Sequence, residues 1–296
     1  MRYHADMTPL SGVLLALLAL VSWGVGDFLV QRSTRLVGNW AALFLVGTAG
    51  VLLFTPIVLP ELASLSLESI GLLVFMGIVM VVAFMVDFEA LREGKMAVVE
   101  PIIGVETLLT VLAAVLFASE RLTPTLTALI ALIFIGIVLT VTREFHHLRY
   151  HRRILERGVL FAILSAIGMA ASNFLVAESS REISPLLAVW AVSVFRMLVC
   201  GGYLLFRQNF GEAVVAVRKH PLVMLGASTL DNIAWLSFAI AATLIPISVA
   251  TVISGGYMAL AVLLGLIIGR EQVKPHQKLG IMMVIAGVLI LSSFYD

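Results

Sequence analysis

Charge is what this sequence has least of. Asp, Glu, Lys and Arg make up 12% of its 296 residues, about half the share a soluble domain carries, so no water-facing surface can be built from this set. The net charge is +1, and 19 Lys and Arg residues give no basic face to hold a duplex, which removes nucleic acid from the partners. A single cysteine, Cys200, excludes an intrachain disulfide. The six histidines fall in loops and at the N-terminus without partners at metal-ligand spacing, so no metal is expected. No glycine-rich phosphate loop and no Ser/His/Asp or Cys/His set is present, so neither an enzyme nor a bound cofactor is indicated. The opening MRYHADMTPLSG lacks a clear small-residue cleavage site, and the first apolar run is expected to be retained.

What the chain has instead is apolar length. Hydrophobic residues are 61% of it, and the mean hydropathy is +1.09. Ten segments approach the ~20 residues that cross a bilayer. They lie near 10–30, 39–59, 69–91, 97–118, 124–142, 158–178, 185–207, 221–244, 247–269 and 275–295. Pro56, Pro60, Pro124, Pro185, Pro221, Pro246 and Pro275 fall at or near their ends, where a missing N–H does least harm. The expected fold is an all-α membrane protein of ten transmembrane helices. Between Arg207 and His220 there is room for a short surface helix.

The chain is also written twice. AVLFASERLTP, ending at Pro124, returns as GLIIGREQVKP, ending at Pro275, 151 positions later. Each copy has a small-xxx-small pair (Ala114/Ala118, Gly265/Gly269), then a glutamate (Glu120, Glu271), and a glycine twelve residues after the proline (Gly136, Gly287). At the start of each copy Gly12 aligns with Gly158, and Asp27-Phe28-Leu29-Val30 with Asn173-Phe174-Leu175-Val176, at an offset of 146. The copies span 10–142 and 158–295, joined by the basic loop 143–157. Five spans per copy is an odd number, so the two copies enter the membrane in opposite directions. Two inverted five-helix repeats are an architecture of alternating-access transporters.

Loops after odd-numbered helices hold fourteen basic residues, among them Arg149, Arg152 and Arg153; the other side holds only Arg2, Arg121 and Arg181. The positive-inside rule then puts the odd loops in the cytoplasm and both termini outside a cell (inner or plasma) membrane.

These residues carry a resemblance. LREGKMAVVEPIIGVETLLTVLAAVLFASERLTPTLTALIALIFIGIVLTV is similar to the EamA-type repeat of the drug/metabolite transporter superfamily, as is the second copy from Ala241 to Leu291. SWGVGDFLVQRS resembles that family's first helix. The resemblance implies two inverted five-helix bundles around a central cavity, and secondary transport of a small-molecule substrate by a monomer or homodimer. It names no substrate, because members move amino acids, drugs, sugars and other metabolites. Thr107, Val252 and Met258 stand where many members have prolines, leaving Gly104 and the Gly255-Gly256 pair to loosen those helices. Relatives of known structure tend to keep both termini in the cytoplasm, opposite to the charge count.

Charges inside the spans are where chemistry is to be sought. Each costs about 2.5 kcal/mol or more at mid-membrane unless it faces a cavity or a partner. Glu106 lies eleven residues beyond Lys95, Arg196 eleven after Pro185, and Asp231 ten after Pro221. At 1.5 Å per residue each is about halfway through a ~30 Å core. Arg196 and Asp231 sit in consecutive, opposed helices, so they can meet as a fixed ion pair, as a gate, or as a seat for the two ends of a zwitterion. Trp235 is one turn beyond Asp231, and an acid beside an aromatic can seat an organic cation. Glu106 is either a neutral acid bonded to backbone or a carboxyl that takes up and releases the coupling proton. Asp27, Asp87 and Glu100 lie shallower on one side and line either a vestibule or a belt of hydrated acids. Glu89 points away from Asp87 and pairs with Arg92 at the surface. Glu120 and Glu271 read as helix-end and capping residues. The expected function is export of a small polar metabolite, an amino acid or an organic cation or drug, in exchange for protons. The alternatives are a divalent-cation carrier, or a non-transporting scaffold or sensor with the same fold.

Overall fold

The computed structural model describes residues 8–93, 102–142, 152–207, 210–260, 263–264 and 274–294. Among them there are helices and no strands. A single hydrogen-bonded stretch, Pro9–Leu62, is broken at Gly38, whose φ of 77° and ψ of 165° suit only glycine. It yields α1 (9–37) and α2 (39–62). Both touch the same level of a later helix: Gly26 of α1 lies against Leu230 and Asp231, and the Val46 carbonyl of α2 accepts from Asn232. The chain therefore folds back on itself at Gly38.

The helices that follow are α3 (Leu67–Glu93), α4 (Glu106–Phe117), α5 (Pro124–Val141), α6 (Arg152–Glu182) and α7 (Pro185–Phe206). After these come α8 (Phe210–Lys219), α9 (Pro221–Leu244), α10 (Ile247–Gly255) and α11 (Pro275–Ser292). Proline opens α1, α5, α7, α9 and α11 at the first turn, where its fixed φ suits the helix and the missing N–H is an orphan anyway. Thr8 and Thr123 cap two of these starts with their hydroxyls. Pro56 and Pro60 do not end α2, which runs through both to Leu62. A membrane helix tolerates such prolines; Pro56 leaves the Leu52 carbonyl without its usual donor, and in the same turn Thr55 Oγ1 donates back to the Val51 carbonyl. The short helix expected between 207 and 220 is α8.

Among the described residues, eight helices are long and apolar enough to cross a bilayer. Only 33–50% of each spanning window is buried within the protein. The rest presents side chains such as Leu52, Phe75, Leu222 and Leu289 outward, the surface expected of a chain solvated by lipid. Two further apolar helices, Glu106–Phe117 and Ile247–Leu260, are shorter, and both adjoin a break. Turns interrupt the first at Gly104-Val105 and the second at Gly256. Gly104 and Gly255 are 151 residues apart, the offset of the two copies, so the glycines stand at matching points. The breaks also meet: a side chain at Gly255 would lie 3.0 Å from Thr107 Oγ1.

A close seam joins α5 to α11. A Cβ at Gly280 would stand 2.6 Å from the Gly136 carbonyl and 2.8 Å from the Thr140 nitrogen, and one at Gly287 would overlap Ile133. Gly136 and Gly280 thus let the two helices touch backbone to backbone, while Gly287, the counterpart of Gly136 in the second copy, makes room for the Ile133 side chain. Gly280→Ala is expected to destabilise the protein by about 1–3 kcal/mol, because helix backbone cannot give way. Gly71→Ala, where a Cβ meets nothing within 4 Å, is expected to be neutral or slightly stabilising. Unfolding midpoints in detergent compare the two; equal midpoints would mean that the seam is loose.

Candidate functional site

Arg196 is the eleventh residue after Pro185 in α7, and Asp231 the tenth after Pro221 in α9. Equal depth in neighbouring helices brings them together: Arg196 Nη1 donates to Asp231 Oδ2 at 2.7 Å. The Arg196 side chain is 3% exposed and that of Asp231 14%. Aromatic rings cover the guanidinium, Phe84 of α3 at 4.2 Å and Trp235 of α9 at 5.8 Å. Trp235 packs in turn on Trp23 and Phe238, and Trp23 on Tyr257. The place beside Asp231 and Trp235, read from the sequence as a seat for an organic cation, is filled by the protein's own Arg196.

One turn away a second polar link ties the same helices. Asn232 Nδ2 donates to the carbonyls of Val46 and Ser228, and its Oδ1 lies 3.3 Å from Ser193 Oγ. Helix α2 closes over this link because it carries glycine at two positions. A Cβ on Gly50 would collide with Ser193 Oγ and Asn232 Oδ1, and one on Gly47 would come within 2.9 Å of Arg196 Cβ. Together Ser193, Arg196, Asn232, Trp235 and three valines line a contracted cleft with no room for a whole water molecule.

Glu106 is 6% exposed and sits in the first turn of α4, directly after the break at 104–105. Thr110 Oγ1 donates back to its carbonyl. The break places its carboxyl at a helix start, where free backbone N–H groups gather. Asp87 is partly buried near the end of α3 and accepts from Ser165 Oγ of α6 at 2.6 Å. Glu100 and the side chain of Asp27 lie outside the described residues, so the shallow trio is represented by Asp87 alone.

Glu120 does more than mark a helix end. Its carboxylate accepts from the Ile247 nitrogen (2.5 Å), the Ser248 nitrogen (3.0 Å) and Ser248 Oγ (2.7 Å), capping α10 across 127 residues of sequence. Arg181 of α6 joins it at 3.2 Å while also donating to the carbonyls of Ala242 and Ile245. Glu271, its counterpart in the second copy, lies outside the described residues. Among the described residues no three of His, Cys, Asp and Glu come together as a metal site.

Sequence reasoning placed Arg196, Asp231 and Trp235 together but passed over Phe84, Ser193 and Asn232. Asn232 follows Asp231 directly, and Gly47 and Gly50 stand at i, i+3 spacing on α2; these were the available signals.

The model of the EamA-like transporter family matches residues 10–142 and again 156–293. The chain belongs to the EamA-like transporter family. Both matches coincide with the two copies, so this is a multi-pass membrane protein of a transporter family built from two EamA repeats. A solved structure described as "Crystal structure of protein" is similar over 96% of this chain and 97% of its own, with a TM-score of 0.72 and 17% identity. At that identity the likeness concerns the fold. No curated protein matches. In this EamA protein, among the described residues, the Arg196–Asp231 pair is buried and the two helix breaks meet.

Proposed function

We propose that this EamA protein is a secondary transporter of small polar metabolites, exported in exchange for protons across a cell membrane, with Arg196 and Asp231 at its central site. The observation that carries the reading is the mid-helix Arg196–Asp231 pair, in a chain whose two broken helices also meet. Ionisable groups at membrane depth mark transport pathways, and discontinuous helices at mid-membrane supply free backbone groups for ligands.

The largest helix contacts support ten spans in two related halves. Exchange α1 with α6, α2 with α7, α3 with α9, α4 with α10 and α5 with α11. The α1–α9 contact then becomes the α6–α3 contact, and α1–α10 becomes α6–α4. The pairs α2–α7, α4–α10 and α5–α11 map onto themselves. Five membrane helices per half make the halves inverted, and the movement of one against the other opens the site to each side in turn.

Glu106 is the coupling carboxyl of this reading. It is buried, deep, and placed where a helix is already interrupted. Glu106→Gln keeps the shape of the neutral acid but cannot exchange a proton. In proteoliposomes the variant is expected to exchange labelled substrate, chosen from a panel of amino acids and organic cations, yet fail to concentrate it under an imposed pH gradient. Full accumulation by Glu106→Gln would remove this residue from coupling and leave Asp87 as the next candidate. Absence of any exchange by the wild type across the panel would remove the transport reading.

A further inference from the structure

Within the Arg196 cleft, three buried N–H groups have no acceptor: Arg196 Nε, Arg196 Nη2 and Trp235 Nε1. Both residues line the cleft. The neighbouring amide is engaged at both ends, since Asn232 Nδ2 has two carbonyls and Oδ1 has Ser193 Oγ. What the lining holds unpaired among its buried side-chain atoms is therefore donors alone. A group meeting them must be an acceptor, and beside a guanidinium it is an anion.

The geometry of the guanidinium narrows the choice. Arg196 uses Nη1 on Asp231, an end-on contact. Nε and Nη2 form the opposite, side-on edge, whose two parallel N–H bonds match the two oxygens of a carboxylate. Phe84 and Trp235 lie against the guanidinium, and the Nε–Nη2 edge, itself buried, is the part of it left without a partner. An ion pair with a purely structural role would gain from using these donors, because buried unmet N–H groups are unfavourable. Charge then selects among carboxylates. The Arg196–Asp231 pair is neutral, so a bare anion would bring one uncompensated charge into the core. A zwitterion brings none, and Asp231 Oδ1, not used by Arg196, can receive its ammonium.

We propose that the cleft is the carboxylate subsite of a small zwitterion with an aliphatic side chain: Arg196 Nε and Nη2 hold the carboxylate, Trp235 Nε1 assists, and Asp231 holds the ammonium. Val176, Val189 and Val192 supply the apolar wall. The inference rests on the transport reading above and gives its site a substrate class. The cleft is contracted, so the ligand must part α6, α7 and α9 to enter, and binding is thereby tied to helix movement.

The test uses the full chain in detergent with L-leucine, L-leucinamide (no carboxylate) and 4-methylpentanoate (no ammonium) as probes. Unfolding midpoint and equilibrium dialysis report binding. Leucine is expected to raise the midpoint, with both analogues bound at least about tenfold more weakly because each leaves a buried partner unmatched. Arg196→Lys, which keeps the charge but loses the fork, is expected to weaken leucine about tenfold or more. Trp235→Phe keeps the ring, loses only the N–H, and is expected to weaken it several-fold. Leucinamide binding as well as leucine, or no response to leucine, would overturn the subsite. Leucine binding without counterflow of labelled leucine in proteoliposomes would retain the subsite and remove the transport reading. Counterflow of an organic cation without leucine binding would do the reverse.

Discussion

Asp231→Asn is expected to destabilise the protein by about 3–5 kcal/mol and to stop transport, Arg196→Gln by somewhat less, and the double variant to regain most of the stability but no transport. Coulomb attraction between the two groups is not the main reason. Removing one partner strands the other charge in a place that excludes water, and that penalty dominates. The asymmetry follows from the chemistry of the survivor. A stranded Arg196 is 3% exposed and stays charged, whereas a stranded Asp231, 14% exposed, can take up a proton. Membrane hydrogen bonds in double-mutant cycles average near 0.6 kcal/mol, so coupling well above that value distinguishes a charged pair from an ordinary polar contact. Unfolding of the four proteins in one detergent gives the cycle. Additive losses would show that Arg196 and Asp231 act separately, and the pairing at 2.7 Å would then carry no energetic meaning.

Glu120→Ala is expected to destabilise by about 2–4 kcal/mol, an effect out of proportion to a residue at a helix end. Four donors converge on this carboxylate: two backbone nitrogens and a hydroxyl at the start of α10, and the Arg181 guanidinium. Glu120→Gln should be nearly as damaging as alanine, because one of its two ends is an NH₂ group turned toward partners that are themselves donors. Glu120→Asp falls a methylene short and should restore little. The comparison of Gln with Ala is the informative one. If Gln retained wild-type stability in detergent, shape rather than acceptor count would be what the position needs, and the capping account would be wrong.

The parts of this molecule legible in the sequence were those fixed by counting along the chain. Arg196 and Asp231 were found by depth from Pro185 and Pro221, which requires only the rise of a helix. The loosened points at Gly104 and Gly255 were visible because the family resemblance leaves glycine to free the backbone where many members have proline, and the matched Gly136 and Gly287 because they recur at a fixed offset. What stayed hidden depends on which helix approaches which. Phe84 is one of many apolar residues in α3 until α7 brings Arg196 across it. Gly47 and Gly50 look like ordinary small residues until Ser193 and Asn232 are seen to need their space. Glu120 was recognised as a boundary, but its partners at Ile247 and Ser248 cannot be inferred from the glutamate itself. The separation of the two helices at Gly38 was expected as a loop, and is instead accomplished by one residue.

The Glu120 cap has a consequence for how the chain is made. When the first copy has left the ribosome, Glu120 has been synthesised but the backbone it caps has not; Ile247 and Ser248 follow only after 126 intervening residues. The first half therefore enters the bilayer with one of its ends unfinished, and the second half cannot complete α10 without it. Cleavage of the gene within the 143–157 connection should accordingly yield two fragments that are each degraded when produced alone and that accumulate when produced together, so that completion of the fold is an act of assembly between halves.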